Sequence, residues 1–204
     1  MKTPKGFRLH IGLFGRRNVG KSSLLNALTR QSVSIVSDFA GTTTDPVEKP
    51  MELLPIGPVL FIDTAGIDDV GDLGEMRVAR TRQVFDRCDV GVIVAEAGRW
   101  GPFEQTLAEE LTARRIPLIA VMNKTDVGDP SPAVLAELRQ MNVHVVRAVA
   151  PRGEGVTDLR EALIAAAPED FINAPAIVSD LIGAGGLAVL VVPIDLEAPK
   201  GRLI

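Results

Sequence analysis

The stretch "GRRNVGKS", residues 15–22, decides the fold, because it matches the pattern G-x-x-x-x-G-K-S/T. It follows the strand-like run "LHIGLF" and opens a helix-like run, which is the context that this pattern requires. Backbone N–H groups of such a loop, together with a helix N-terminus, bind phosphate. An accidental glycine-rich turn is the alternative, and the correct spacing in the correct context argues against it. The pattern predicts that Lys21 reaches the β- and γ-phosphates of a nucleotide and that the Ser22 hydroxyl binds Mg²⁺.

Outside this loop, strand-like and helix-like segments alternate along the chain. The strand-like runs are nearly continuous in apolar residues, as expected where both faces of a sheet are covered. This alternation predicts an α/β fold with a mostly parallel six-stranded sheet and helices on both faces. An extra strand at "MELLPIGPV", with a turn at Pro55, Gly57 and Pro58, is predicted to be the antiparallel member. The other predicted strands are "LHIGLF", "VLFID", "DVGVIVAE", "PLIAVMN" and "VHVVRAV", and the predicted helices are "GKSSLLNALTR", "EMRVARTRQVFDRC", "PFEQTLAEELTARR", "SPAVLAELRQM" and "GVTDLREALIAAA".

Composition and charge exclude several classes of protein. The 204 residues are 46% hydrophobic and 24% charged, which is globular composition. The net charge of −4 does not favour a non-specific grip on nucleic acid or on an anionic membrane. The single cysteine, Cys88, excludes an internal disulfide and any site built from several thiolates. Apolar runs are too short to span a bilayer, so we expect a cytoplasmic protein with neither a membrane nor a nucleic-acid partner.

A second signal is "FIDTAG", in which Asp63 ends an apolar strand. A carboxylate at that point can hold magnesium through water, and the Gly66 N–H can meet the γ-phosphate. The pattern D-x-x-G is weak alone, and its position one strand after a phosphate loop makes it strong.

A third signal is "MNKTD", again at the end of an apolar strand. Asp126 can accept hydrogen bonds from N1 and the 2-amino group of guanine, a donor pair that adenine lacks. Asn123 and Lys124 would shape and cover the base pocket. This motif predicts GTP, and GDP as product, as the ligand.

Two further loops give weaker signals. In "AGTTTDP", residues 40–46, a threonine would supply a second hydroxyl to Mg²⁺, and Thr43 is the first choice over Thr42 or Thr44. A threonine-rich solvated loop would explain this stretch equally well by itself. "VAPRGEGV", residues 149–156, should bring the Ala150 backbone near guanine O6.

The predicted site can be stated as a set. Predicted nucleotide contacts are made by Arg17, Asn18, Val19, Gly20, Lys21, Ser22, Ser23, Thr42, Thr43, Asp63, Gly66, Asn123, Lys124, Asp126, Val149, Ala150 and Pro151. Within it, Ser22, Thr43 and Asp63 are the predicted Mg²⁺ ligands, and Lys21, Thr43 and Gly66 are predicted to act in catalysis. Arg16 and Arg17 can touch phosphates, although solvent-facing positions are the stronger expectation for both.

These five loops, in this order, resemble those of translation-factor-like P-loop GTPases. "NVGKSSLLNAL" and "AGTTTDP" look like the TrmE–Era branch, whose fifth loop usually reads Ser-Ala where this chain has Val149 and Ala150. The segment at residues 37–69, "SDFAGTTTDPVEKPMELLPIGPVLFIDTAGIDD", resembles the HydF family of FeFe-hydrogenase maturation GTPases. The tail "VVPIDLEAPKGRLI", residues 191–204, resembles the start of the dimerisation domain of the same family.

The HydF resemblance implies an organisation and partners. Residues 1–168 would form the GTP-binding domain, and residues 169–204 a linker and the truncated start of a dimerisation domain, so that a homodimer can form. The family's iron–sulfur cluster would lie in a domain that this chain lacks. Radical-SAM hydrogenase maturases and apo-hydrogenase are the implied protein partners. An RNA-linked GTPase of the Era or tRNA-modification type is the first alternative, and a nucleotide-gated binding module with incidental hydrolysis is the second.

The resemblance also bears on hydrolysis. Ras-like enzymes orient the attacking water with a glutamine after D-x-x-G, where this chain has Ile67. Asn18 matches the asparagine that coordinates K⁺ in potassium-activated relatives, so slow, K⁺-activated turnover is expected. Glu75 resembles a switch glutamate that positions water in the tRNA-modification relatives, and it is predicted to be catalytic. A favourable position near a helix N-terminus explains Glu75 equally well.

Overall fold

In the computed structural model of this chain, six strands form a single sheet. The structure describes residues 8–31, 47–64 and 83–172. The strands are β1 (Leu9–Phe14), β2 (Val47–Leu53), β3 (Gly57–Asp63), β4 (Val90–Glu96), β5 (Leu118–Asn123) and β6 (His144–Ala148). The helices are α1 (Lys21–Gln31), α2 (Pro102–Ala113), α3 (Pro132–Gln140), α4 (Val156–Ala166) and α5 (Glu169–Ile172), with a 3₁₀ turn at Ala150–Arg152.

The sheet has the order β2-β3-β1-β4-β5-β6, and only the β2–β3 pair is antiparallel. β1 lies centrally between β3 and β4, so its carboxyl end, where the phosphate loop starts, is flanked by the ends of both neighbours. Parallel strands all end at one edge of the sheet, and this places Asp63 of β3 and Asn123 of β5 on the same edge as the loop. The predicted α/β fold class is confirmed.

Helices cover both faces of the sheet, as predicted. Alternate residues of the central strands point to opposite faces. One core layer joins Leu9, Ile11 and Leu13 of β1 to leucines of α1 and α4. The other layer joins Phe14 and the far side of β4 to leucines of α2 and α3. The long apolar runs in β1, β4 and β5 follow from this two-sided burial.

The antiparallel edge differs in detail from the expectation. β2 begins at Val47, the turn occupies residues 54–56, and Gly57 and Pro58 already belong to β3. Gly57 has φ +93°, so it can reverse the chain direction without a side-chain clash. Pro50 lies within β2, which is tolerated because an edge strand has one side without a ladder partner.

Cys88 is buried in the core layer that contains leucines of α2 and α3. Burial, with a contribution from nearby Asp89, raises the pKa of the Cys88 thiol to about 12. The thiol therefore stays protonated at neutral pH and behaves as a small apolar group.

Residues 169–172 form the short helix α5, where the sequence suggested only a linker. Its Phe171 packs against the core layer formed with α1 and α4, and the Phe171 N–H donates to the Pro168 carbonyl at 3.0 Å. A helix of four residues is too short to show a periodic pattern in the sequence. The helix predicted over residues 75–88 lies mostly outside the described residues. Within its described part, residues 83–85 are helical. The predicted dimerisation segment beyond residue 172 also lies outside them.

Candidate nucleotide site

The phosphate loop fills the space between β1 and α1 and is fitted closely to its surroundings. Gly15 has φ +139°, and a Cβ there would lie 2.2 Å from the Val94 carbonyl oxygen of β4. Gly20 has φ +98°, and a Cβ there would lie 2.2 Å from Nδ2 of Asn123. Both positions therefore require glycine for conformation and for space. Asn18 takes a left-handed conformation at φ +62°, which asparagine tolerates better than most residues.

Lys21 opens α1 with its side chain folded back into the loop. It is only 7% exposed, and its Nζ donates to the carbonyl oxygens of Gly15 at 2.6 Å and Arg16 at 2.8 Å. A buried ammonium needs such acceptors when no anion is present. The phosphates of a nucleotide would offer it stronger, charged acceptors in their place. Ser22 and Ser23, in the same helical turn, are exposed.

Asp63 carries the signature of a carboxylate prepared for a cation. Its Oδ1 is buried and has no hydrogen-bond partner among the described residues. Burial raises the pKa of Asp63, and the charges of Lys21 and Lys49 only partly oppose the shift. A divalent cation beside Asp63 would satisfy the orphaned oxygen and offset this desolvation, so Asp63 fits the predicted Mg²⁺ site.

The residue after Asp63 anchors β3 to the start of the loop. Both the N–H and the hydroxyl of Thr64 donate to the Leu13 carbonyl, at 3.1 and 2.7 Å. These bonds fix the position of Asp63 relative to the phosphate loop.

Asn123 ties three loops together. Its side chain is almost completely buried, its Nδ2 donates to the Val19 carbonyl at 2.7 Å, and its Oδ1 accepts from the Ala150 N–H at 3.1 Å. One amide thus joins the phosphate loop, the "MNKTD" loop and the fifth loop. The sequence had assigned Asn123 to shaping the base pocket, and the structure adds this bridging role.

The two charged residues of the "MNKTD" loop have charged partners. Lys124, at φ +60°, pairs with Glu96, and its hydrogen bond is the main cause of the lowered pKa of Glu96. The Asp126 carboxylate lies 3.4 Å from the Arg152 guanidinium. Arg152 was not among the site residues predicted from the sequence, in which only its position in the fifth loop indicated it.

The fifth loop is shaped by buried backbone and by glycine. Val149 and Ala150 are buried and Pro151 is exposed. Gly155, at the start of α4, has φ +76°, and a Cβ there would lie 1.9 Å from the Arg147 carbonyl oxygen. The loop can therefore close against β6 only with glycine at this position.

One expectation for the phosphate loop was wrong. Arg16 does not face solvent: its guanidinium forms two hydrogen bonds with the fully buried Glu104 of α2 and lies over the Phe103 ring at 5.3 Å. The physical reason is that a carboxylate held away from water needs a cationic partner. Arg17 is exposed.

Several predicted site residues lie outside the described part of the chain, namely Thr42, Thr43, Gly66 and Glu75. Among the residues that are described, no three histidine, cysteine, aspartate or glutamate side chains group as a metal site. No helix in residues 8–31, 47–64 and 83–172 is long and apolar enough to cross a bilayer.

The sequence of this site is that of a known family. A family model described as "50S ribosome-binding GTPase" matches residues 10–124, which include the phosphate loop, Asp63 and Asn123. The chain belongs to this GTPase family. It is therefore a GTPase that binds GTP and hydrolyses it to GDP, and the family implies Mg²⁺ beside the nucleotide.

Curated relatives carry the name tRNA modification GTPase MnmE. The protein from Synechococcus sp. (strain JA-2-3B'a(2-13)) is 42% identical over 160 residues, which cover 75% of this chain and 32% of that protein. The protein from Paraburkholderia xenovorans (strain LB400) is 39% identical over 161 residues, covering 76% of this chain and 34% of that protein. The GTPase chain thus spans about a third of the length of these relatives. Their names do not support the HydF assignment or its maturase partners.

Solved structures agree with the fold. Era from Aquifex aeolicus, in a variant bound to GDP and AlF₄⁻, aligns with a TM-score of 0.60 and 26% identity over 78% of this chain and 56% of that one. Era with MgGDPNP and a segment of 16S ribosomal RNA aligns with a TM-score of 0.59 and 27% identity, again over 78% and 56%. The G domain of the T. maritima FeoB iron transporter, at 22% identity and a TM-score of 0.59 over 78% of this chain and 98% of that one, shows the same fold.

Proposed function

We propose that this chain is the GTP-hydrolysing switch domain of a larger, RNA-linked protein of the tRNA-modification type. The observation that carries the nucleotide assignment is the Asn123 bridge, because it brings the phosphate loop and both base-binding loops into one site. The names of the curated relatives and the RNA-bound Era structure favour RNA as the partner of the whole protein, against the expectation of no nucleic acid. The net charge of −4 does not favour RNA binding through a broad basic surface of this chain. We therefore expect RNA contacts that do not depend on such a surface.

The proposed chemistry assigns a role to each part of the site. Lys21 exchanges its loop carbonyls for phosphate oxygens when the nucleotide binds. Ser22 and Asp63 hold Mg²⁺, which supplies neutralisation of the charge on the phosphates. The Asp126 carboxylate accepts from N1–H and the 2-amino group of guanine, in place of its ion pair with Arg152. Phosphate binding and charge neutralisation thus involve Lys21 and Asp63, which are close enough for the Lys21 charge to oppose the raised pKa of Asp63.

The base assignment is tested by Asp126→Asn. An amide in place of the carboxylate presents a donor to the guanine donors, and we expect GTP affinity to fall by about 10²-fold or more, with xanthosine triphosphate bound better than GTP. Asp129→Asn is the matched control, because Asp129 lies in the same loop but pairs with Arg147 at 3.1 Å. Competition binding with GTP, ATP and xanthosine triphosphate measures the effect. Unchanged GTP affinity in Asp126→Asn would remove this residue from the pocket.

A second candidate function is hydrogenase maturation. It is favoured by the segments at residues 37–69 and 191–204 that resemble the HydF family. Steady-state GTP turnover of the full-length protein, with and without transfer RNA, separates the two. Stimulation by transfer RNA supports the RNA-linked function. Unchanged turnover, together with activation of apo-hydrogenase in a reconstituted maturation mixture, supports the second.

A further inference from the structure

A buried carboxylate outside the family motifs binds the first variable residue of the phosphate loop. Glu104, in the first turn of α2, is 0% exposed. Its Oε1 accepts from Nε of Arg16 at 2.7 Å, and its Oε2 accepts from Nη2 of Arg16 at 3.1 Å. Such two-point pairing fixes the guanidinium in orientation as well as in position. The pair joins two segments that are 88 residues apart in the chain.

The rest of the Arg16 side chain is also held by α2. The guanidinium lies 5.3 Å from the centre of the Phe103 ring, and Nη2 would be 3.5 Å from a Cβ placed on Gly101. The arginine side chain is only 23% exposed. The Arg16 side chain of the phosphate loop is thus surrounded by Gly101, Phe103 and Glu104 at the start of α2.

The main chain of Arg16 is part of the phosphate-binding apparatus. Its carbonyl accepts from Nζ of Lys21 at 2.8 Å, and it follows Gly15, whose position against Val94 leaves no room for a Cβ. Fixing the Arg16 side chain therefore fixes the segment of loop that lies beside the catalytic lysine.

We infer that Glu104 is a positioning residue for phosphate binding, which it aligns through Arg16 without touching the nucleotide. The inference rests on the proposed phosphate site. It predicts that loss of the pair lets the loop backbone shift, so that its N–H groups and Lys21 meet the phosphates in poorer geometry.

A purely structural role must be distinguished from this one. Oε2 of Glu104 also accepts from the Gly101 N–H at 2.9 Å, a contact that caps α2 regardless of the nucleotide. Glutamine at position 104 can still accept that bond, but it lacks the charge that holds Arg16. Changes at Arg16 leave the cap intact, but they also remove the cationic partner of the buried Glu104 carboxylate, so the thermal midpoint is read beside the dissociation constants.

The experiment is a double-mutant cycle with Glu104→Gln, Arg16→Gln and the double variant. Dissociation constants for GDP and, by competition, for guanosine are measured beside the thermal midpoint without nucleotide. Each single variant is expected to weaken GDP binding by about tenfold, less than the ~10²-fold cost of an ångström-scale misplacement of catalytic groups. Guanosine binding should not change, and the double variant should be no weaker than the singles, because both remove the same link.

Two further variants secure the result. Arg16→Lys keeps the charge but lacks the fork, so it should fall between wild type and Arg16→Gln, and it serves as the test if Glu104→Gln does not fold. Arg114→Gln removes an exposed ion pair with Asp86 at the other end of α2 and should leave GDP affinity unchanged. GDP affinity equal to wild type in the Arg16 and Glu104 variants, additive losses, or equal losses for guanosine would overturn the inference. Wild-type GDP binding in the same series reports on the proposed function separately.

Discussion

Asp63 shows how a single residue can cost stability for the sake of binding. Burial raises the pKa of Asp63 above its ordinary value of 3.8. The folded chain therefore binds the proton of this carboxyl more tightly than the unfolded chain does. The stability contribution of this group is therefore present at acidic pH and is lost as the pH rises from 3.8 through the raised folded value. At neutral pH without Mg²⁺, burial of this carboxyl group therefore costs stability.

We therefore predict that Asp63→Asn is more stable than wild type at pH 7 in a chelating buffer. The difference should shrink as the pH falls through the raised folded pKa towards 3.8, and it should be absent below 3.8, where the wild-type carboxyl is neutral in both states. With Mg²⁺ and GTP the variant should lose turnover by about 10²-fold or more, because the Mg²⁺ charge that neutralises the transferring phosphates is then misplaced or missing. Thermal unfolding at several pH values and phosphate release measure the two effects. A variant less stable than wild type at pH 7 would contradict the account of Asp63.

Asn18 gives the second prediction at this scale. If it binds K⁺ as the resemblance implies, replacing K⁺ by Na⁺ should slow GTP hydrolysis, and Asn18→Ala should remove the difference between the two salts. Asn142→Ala is the matched control, because Asn142 has a similar left-handed backbone, φ +57° against φ +62°, outside the predicted nucleotide set. Initial rates at fixed ionic strength decide the matter. Equal wild-type rates in the two salts would refute K⁺ activation.

Among the structural elements, those buried on both faces were predicted most accurately from the sequence. β5 was expected from its apolar run, and Asn123 was expected at its carboxyl end, because two-sided burial leaves a continuous signal that stops where the strand stops. β2 was placed too late, because its first residues, Val47 to Pro50, include two adjacent charged residues and a proline, as exposed edges do.

The candidate site was predicted to the extent that its motifs are local in the chain. Lys21 and Asn123 were found because each belongs to a short pattern with a fixed spacing. The Arg16–Glu104 pair was missed, because a contact across 88 residues has no spacing to recognise. Arg152 was missed because its pairing with Asp126 depends on how the fifth loop turns, which Gly155 and the Asn123 bridge determine together.

The entry to α4 permits a prediction about glycine. Gly155→Ala combines a left-handed backbone with a clash against the Arg147 carbonyl, so we expect a loss of more than about 3 kcal/mol in unfolding free energy. Gly57→Ala has the left-handed backbone but nothing within 4 Å, and about 1 kcal/mol is expected. Gly98→Ala, with open space and no such backbone, should be close to neutral. Denaturant unfolding of the three variants gives the order, and equal losses at Gly155 and Gly57 would show that the clash relaxes at no cost.

In the molecule as a whole, the described parts of the candidate nucleotide site all lie before Val156, while the described residues continue to α5. Phe171 of α5 packs on the same core layer as α1 and α4. Burial of part of a phenylalanine side chain contributes about 1–2 kcal/mol. Residues 169–172 are therefore expected to affect stability more than nucleotide binding.

Two shortened chains test this separation and the predicted role of residues 173–204 together. A chain ending at Ile172 should match the full chain in GDP affinity and in unfolding free energy. A chain ending at Pro168 should lose about 1–2 kcal/mol through the missing Phe171 contact, again with unchanged GDP affinity. If residues 173–204 carry the predicted dimerisation segment, light scattering should detect association of the full chain that rises with concentration and is absent from both shortened chains. Weaker GDP binding in the chain ending at Ile172 would mean that residues 173–204 contribute to the nucleotide site, because that chain keeps every described helix and strand.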